Sequence, residues 1–156
     1  MIITDLKTFV VGTPAPHFGG RYWIFVKLVT NTNIEGIGEV YSIPFHPDVV
    51  IKMIEDVFER HFRGNDPSSI EKMWRRVYSS GFTQRPDVSI SGILSGLEIA
   101  CWDILGKDAN RPVYQLLGGK VHERLRSYTY LYPKSDDKAD VYIDADLAAE
   151  RALDYA

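Results

Sequence analysis

The side chains in this sequence that could hold a metal ion or act as a nucleophile are few and widely spaced. The histidines are His17, His46, His61 and His122. No two of them have the three- or four-residue helical spacing of a zinc site, and there is no H-E-x-x-H pattern. Three serines, Ser42, Ser91 and Ser95, lack the glycine-flanked context of a nucleophile elbow. The spacing therefore argues against a self-contained metal or nucleophile site.

Three other features could carry chemistry, and each has a structural interpretation that we favour. Gly36-x-Gly38 lacks the third glycine and following helix of a nucleotide loop, so it predicts close backbone packing. Glu98 lies at the edge of an apolar helix stripe, where a carboxylate is more often paired with a cation than tuned as an acid. The single cysteine, Cys101, falls on that stripe and is expected to behave as a small hydrophobic residue.

Strands are predicted first along the chain. Ile2 to Val11, Tyr22 to Thr30 and Ile34 to Val40 are rich in β-branched and aromatic residues, and Asn31-Thr32-Asn33 forms a turn between the last two. This pattern predicts an antiparallel meander. The first and third strands are each followed by a loop that combines backbone-breaking residues with ring side chains. These loops are GTPAPHFGGR at 12–21 and YSIPFHP at 41–47.

Helices are predicted next. Pro47 begins one that ends before Gly64, and Asp66 caps another with Pro67 as its first residue. In the second, the predicted buried stripe consists of Ile70, Met73, Trp74, Val77 and Tyr78.

A third predicted helix, from about Val88 to about Lys107, is the most informative element. Its glycines at 92 and 96 favour close packing, and Asp103 and Lys107 form a four-apart ion pair opposite the apolar stripe. That stripe consists of Leu94, Leu97, Ala100, Cys101, Ile104 and Leu105. Pro112 then starts a short helix that Gly118-Gly119 ends.

The run S-G-L-E-x-A-C-W-D-I-x-G-K-x4-P-V-x2-L-L-G-G, from Ser95 to Gly119, resembles the signature of the mandelate racemase and muconate lactonizing branch of the enolase superfamily. The likeness extends over nearly the whole chain. It implies an α+β fold, with an N-terminal capping domain at 1–122 and the first β-α unit of a TIM-type barrel at 123–156. Leu125 to Tyr132 would be the barrel strand, and Asp146 to Ala156 the helix, with Asp144 or Asp146 as its cap.

The resemblance also implies function. Segments GRYWIFVKLVT, VYSSGFTQRPD and RSYTYLYP are most similar to acid-sugar dehydratases, which convert an aldonate or aldarate to a 2-keto-3-deoxy acid with Mg²⁺. Racemases, epimerases and cycloisomerases share the first half of that reaction and remain alternatives, as does a non-catalytic binding module. The base and the Mg²⁺ ligands would lie beyond residue 156, so no catalytic or metal residue is expected in this chain.

In family members two N-terminal loops close over the barrel mouth and select the substrate. The residues at matching places are His17, Phe18, Tyr41 and His46, and Arg85 is a more distant residue that could pair with an acidic substrate group. The partners implied are a sugar-acid carboxylate, a C-terminal barrel domain and further copies in a homo-oligomer.

Composition limits the other classes of partner. A net charge of -3 and the absence of a clustered cationic run argue against nucleic acid. We see no signal peptide and no run of membrane-spanning length, and one cysteine is consistent with a reducing cytoplasm. A lone β-α unit at the end of the sequence indicates part of a longer protein.

Overall fold

The computed structural model describes residues 1–17, 19–41, 43–80 and 87–155. The chain divides into two compact units, Met1–Lys120 and Val121–Ala156. Among the described residues, the first contains a three-stranded sheet followed by four helices, and the second contains one helix.

The sheet is an antiparallel meander, as predicted. Its strands are β1 (Ile3–Gly12), β2 (Tyr22–Thr30) and β3 (Glu35–Val40), in the order β1-β2-β3. Along β2, buried residues alternate with half-buried ones, so one face of the sheet covers the core. The buried residues are Ile24, Val26, Leu28 and Thr30.

Helices α1 (Pro47–His61) and α2 (Ile70–Ser80) follow the sheet. The prediction for the start of α2 was wrong: Asp66 Oδ1 accepts a hydrogen bond from Ser68 N at 2.8 Å and so caps a turn, and the helix begins at Ile70. Of the predicted stripe, Met73 and Val77 are buried, but Trp74 is 37% exposed and stacks on Tyr78 with ring centroids 4.8 Å apart.

Helix α3 (Val88–Asp108) is the centre of the first unit. Asp87 caps it by accepting hydrogen bonds from Ser89 N and Ile90 N. Its predicted stripe is confirmed except that Leu105 is only half-buried; the fully buried members are Leu94, Leu97, Ala100, Cys101 and Ile104. Contrary to the sequence-based expectation, α3 is long and apolar enough to cross a membrane. Its buried stripe, packed in the domain core, accounts for that composition.

Strand β3 and helix α3 approach each other through glycines on both sides. A Cβ atom added at Gly36 would lie 2.0 Å from Ala100 O, and one at Gly38 would lie 1.9 Å from Gly96 O. On the helix, a Cβ at Gly96 would lie 2.8 Å from Glu39 O. These distances confirm that Gly36-x-Gly38 and the helix glycines serve close backbone packing.

Asp103 has a larger structural role than its predicted ion pair. It does pair with Lys107, at 2.8 Å, but its Oδ2 also accepts a hydrogen bond from Ile37 N at 2.8 Å. Lys107 Nζ in turn donates to Glu35 O at 2.7 Å. The two side chains thus satisfy backbone groups along the outer edge of β3, which has no further strand beside it in the described sheet.

This arrangement predicts the effect of Asp103→Ala. The change removes the acceptor of Ile37 N and should lower the free energy of unfolding by about 1 to 2 kcal/mol. Urea denaturation, with Asp108→Ala as a control on the same exposed end of the helix, measures it. Equal effects of the two changes would mean that the bond to β3 contributes nothing.

Helix α4 (Val113–Leu116) follows Pro112, and Gly118 and Gly119 have φ values of 110° and 103°, which agrees with the predicted glycine stop. In the second unit, Leu125 to Tyr132 forms no strand, so that prediction is wrong for the described chain. A strand requires a partner to receive its backbone hydrogen bonds, and no described segment pairs with it. Helix α5 (Ala145–Leu153) is present, and its N-cap is Asp144.

Candidate functional site

The two loops that the sequence marked as unusual meet at one end of the sheet. Between them lies a cavity of about 540 Å³. The residues that line it come from the first loop and the start of β2 (Gly19, Gly20, Arg21, Tyr22, Trp23 and Ile24) and from the end of β3 and the second loop (Glu39, Val40, Tyr41, Ile43 and Pro44). A concave site with aromatic walls and a few polar groups is typical of small-molecule binding.

The first loop is closed by hydrogen bonds within itself. Thr13 N donates to Arg21 O at 3.1 Å at its base, and the Thr13 hydroxyl group donates to Gly20 O. His17 N donates to Pro14 O, and Gly20 N donates to His17 O at 3.0 Å. His17 has a φ of 65°, a left-handed conformation that non-glycine residues adopt at an energetic cost. The loop is therefore a structured tip that presents His17.

The ring of His17 is exposed, and its Nδ1 lies 2.7 Å from Thr13 O. A carbonyl oxygen only accepts hydrogen bonds, so Nδ1 must carry the proton in this contact. In the neutral ring, Nε2 then has a free lone pair and can accept a hydrogen bond from a hydroxyl group. His17 is not among the residues that line the cavity.

The second loop contributes Tyr41 to the cavity wall, with 67% of its surface exposed. His46, also predicted as a site residue, is instead the N-cap of α1, where its Nδ1 accepts a hydrogen bond from Asp48 N at 3.4 Å. Its side chain is 74% exposed and does not line the cavity. Phe18 and Arg85 lie outside the described residues.

Sequence reasoning missed two charged residues of the cavity. Arg21 and Glu39 both line it, with Arg21 exposed and Glu39 half-buried. Arg21 directly precedes the predicted start of the second strand, and Glu39 is next to the predicted end of the third. In an antiparallel pair the start of one strand lies beside the end of the other, so this placement is the signal that could have identified both residues. A guanidinium group can bind a carboxylate and a carboxylate can accept from sugar hydroxyl groups.

Glu98 has a different partner from the cation that its position predicted. Its Oε1 accepts a hydrogen bond from Trp102 Nε1 at 3.3 Å, and within the described ranges it makes no ion pair. With Ile70, Glu71 and Trp74 it lines a second depression, on the α2 side of α3. Glu98 is therefore hydrogen-bonded to an aromatic side chain one turn further along its own helix.

Cys101 is fully buried, and burial, with a smaller contribution from the charge of Glu98, raises the pKa of its thiol to about 12. The thiol is therefore protonated at neutral pH and is neither a nucleophile nor a metal ligand there. This agrees with the interpretation of Cys101 as a small hydrophobic core residue.

The acidic side chains of the described part of the chain do not form a metal site: no group of three or more His, Cys, Asp or Glu side chains there is arranged to hold an ion. On α1, two carboxylates are engaged by arginines: hydrogen bonds from Arg60 and Arg63 lower the pKa values of Asp56 and Glu59 respectively. The residues that the structure describes therefore do not fit an Mg²⁺ centre.

Comparison with known proteins agrees with this fold. Residues 12–118 match the model of the mandelate racemase/muconate lactonizing enzyme N-terminal domain. The chain therefore belongs to the mandelate racemase/muconate lactonizing enzyme family.

Solved structures of this family closely resemble the chain. A protein of this group from Labrenzia alexandrii DFL-11 is 62% identical with a TM-score of 0.92, over 99% of this chain and 38% of that one. A mandelate racemase/muconate lactonizing enzyme from Sulfitobacter sp. is 55% identical with a TM-score of 0.91, over 99% and 39%.

Among curated relatives, the D-galactonate dehydratase of Variovorax paradoxus is 34% identical over 99% of this chain and 37% of its own length. The D-galactonate dehydratase family member RspA of Cellvibrio japonicus is 37% identical over 88% and 32%. The chain spans about a third of the length of these relatives.

Proposed function

We propose that this chain is the substrate-capping portion of an Mg²⁺-dependent acid-sugar dehydratase, acting in the cytoplasm as a homo-oligomer. In this proposal residues 1–122 form the capping domain and 123–156 begin the barrel. The dehydratase names of the curated relatives support the reaction class. The observation that carries the capping role is the cavity between the two loops.

The contribution of this chain is to bind the end of the substrate remote from the metal and to exclude water. Trp23 and Tyr41 supply apolar ring surface, while Arg21 and Glu39 supply groups that bind carboxylates and hydroxyls. His17 adds an acceptor at the tip of the first loop. The proposal places the base in the rest of the longer protein, together with the ligands of the Mg²⁺ ion that would supply Lewis-acid stabilisation of negative charge.

A first prediction concerns the 156-residue chain alone. It should show no dehydratase activity and no single-site Mg²⁺ affinity tighter than about millimolar, because its described carboxylates form no ion-binding group. Titration calorimetry is the measurement. A tighter site that disappears when one carboxylate is replaced would contradict the placement of the metal ligands elsewhere.

A second prediction tests the capping role in the longer protein. His17→Ala should change the ratio of kcat/KM between an aldonate and an aldarate by about tenfold or more, which is about 1.4 kcal/mol of differential transition-state binding. Exchange of the substrate α-proton with solvent should persist, because the base is elsewhere.

The matched control is Asn33→Ala. Asn33 lies in the turn between β2 and β3, at the opposite end of the sheet, and also has a positive φ, of 63°. It should leave the ratio of kcat/KM unchanged. If His17→Ala also leaves both the ratio and the order of preference unchanged, His17 is an exposed loop residue without a role in selection.

A further inference from the structure

A hydrogen bond across the end of the sheet joins the start of β2, at the base of the first loop, to the second loop. The hydroxyl group of Tyr22 donates to the backbone carbonyl oxygen of Phe45 at 2.8 Å. Within the described ranges, no other hydrogen bond connects residues 12–22 with residues 41–47. Among the described residues, removal of this hydroxyl group would leave the loops without a direct hydrogen bond between them.

Tyr22 lies where it can link the positions of the two loops. It is the first residue of β2, pairs with Gly12 of β1, and packs against the core while lining the cavity. Its backbone therefore belongs to the rigid sheet at the base of the first loop. Its phenol extends to the second loop one residue before His46, which caps α1.

The two ends of this bond are each fixed by further contacts. Arg21, adjacent to Tyr22, accepts the hydrogen bond from Thr13 N that closes the first loop. On the other side, His46 O accepts from Val49 N and Val50 N in the first turn of α1. The Tyr22 hydroxyl group thus joins the closed base of the first loop to the residue that precedes the N-cap of α1.

We propose that Tyr22 is a positioning residue. Its hydrogen bond to Phe45 O, here called the latch, holds the two loops in one relative position, so that His17 and Tyr41 select the substrate together rather than independently. The inference rests on the proposed function for its catalytic consequence, but the latch itself is a property of the chain. Tyr22 thus acts on substrate selection indirectly, by positioning the loops, and its hydroxyl group need not touch the substrate.

The first test uses hydrogen exchange and requires no substrate. Tyr22→Phe keeps the ring and removes the donor. In the full-length protein this change should raise the hydrogen-exchange rates of both the Gly20 and the Val49 amides, by about three- to tenfold. The amide of Asn33, which donates to Thr30 O in the remote hairpin turn, should not change.

The matched control for this test is Tyr142→Phe. Its side chain is 67% exposed, and its hydroxyl group has no hydrogen-bond partner among the described residues, so it should alter none of the three amides. Unchanged exchange at either loop in Tyr22→Phe would overturn the latch. Faster exchange at Asn33 as well would overturn it too, because the effect would then be general destabilisation.

The second test measures coupling in catalysis. In the full-length enzyme, a double-mutant cycle of His17→Ala and Tyr41→Ala should be non-additive in the aldonate-to-aldarate ratio of kcat/KM, by about threefold or more. In the Tyr22→Phe background the same cycle should become additive, while the melting temperature changes little. Coupling that persists without the hydroxyl group would overturn the proposal. If the protein converts no acid sugar, the proposed function fails, and hydrogen exchange still decides the latch.

Discussion

Gly38→Ala is expected to destabilise the first unit by at least about 3 kcal/mol. The added Cβ would lie 1.9 Å from Gly96 O, a backbone atom that cannot rotate away, so β3 and α3 would have to separate. Since α3 carries the buried stripe, their separation would also open the core. Urea denaturation followed by tryptophan fluorescence measures the change.

The matched control is Gly12→Ala at the end of β1, where an added Cβ meets no atom within 4 Å. It should change the free energy of unfolding by no more than about 0.5 kcal/mol. Similar denaturation midpoints for Gly38→Ala and Gly12→Ala would mean that the strand and the helix are not in backbone contact.

Truncating the stripe of α3 should have an effect of similar size. Leu97→Ala and Ile104→Ala each remove a fully buried side chain and should each lower the free energy of unfolding by roughly 2 to 5 kcal/mol, through lost transfer free energy and the resulting cavity.

The same helix provides a control for these substitutions. Ile99 is 46% exposed, so Ile99→Ala should lower the free energy of unfolding by less than about 1 kcal/mol. If all three substitutions have equal and small effects, the assignment of the buried face of α3 is incorrect.

Features that depend on local pattern could be predicted from the sequence. The β-branched and aromatic residues of Tyr22 to Thr30 indicated a strand, and the structure confirms its bounds. The period of the α3 stripe indicated its buried face, and Gly36-x-Gly38 indicated where backbone approaches backbone. In each case the signal is repeated over several residues or has one dominant physical explanation.

Features that depend on a distant partner were not predictable in the same way. Leu125 to Tyr132 has the composition of a strand, but pairing requires a second strand that the described chain does not supply. Asp103 looked like half of a surface ion pair, yet it bonds to Ile37, 66 residues away. Asp66 has the residue type of a helix cap but caps a turn instead.

The site shows the same division. The loops were identifiable by their glycines, prolines and rings, and Tyr41 does line the cavity between them. Arg21 and Glu39 join that cavity only because the meander brings two strand ends together. His46 was predicted only as a loop residue, whereas the structure shows that it is the N-cap of α1 and that its Nδ1 accepts a hydrogen bond from Asp48 N.

The most direct test of the proposed function is a panel of aldonates and aldarates incubated with the full-length protein and Mg²⁺ in D₂O and followed by NMR. A dehydratase should convert at least one of them to a 2-keto-3-deoxy acid with loss of the α-proton. Deuterium incorporation or inversion at that carbon without loss of water would indicate a racemase or epimerase instead. No exchange and no product with any acid sugar, although a sugar acid binds, would identify a binding module and contradict the account.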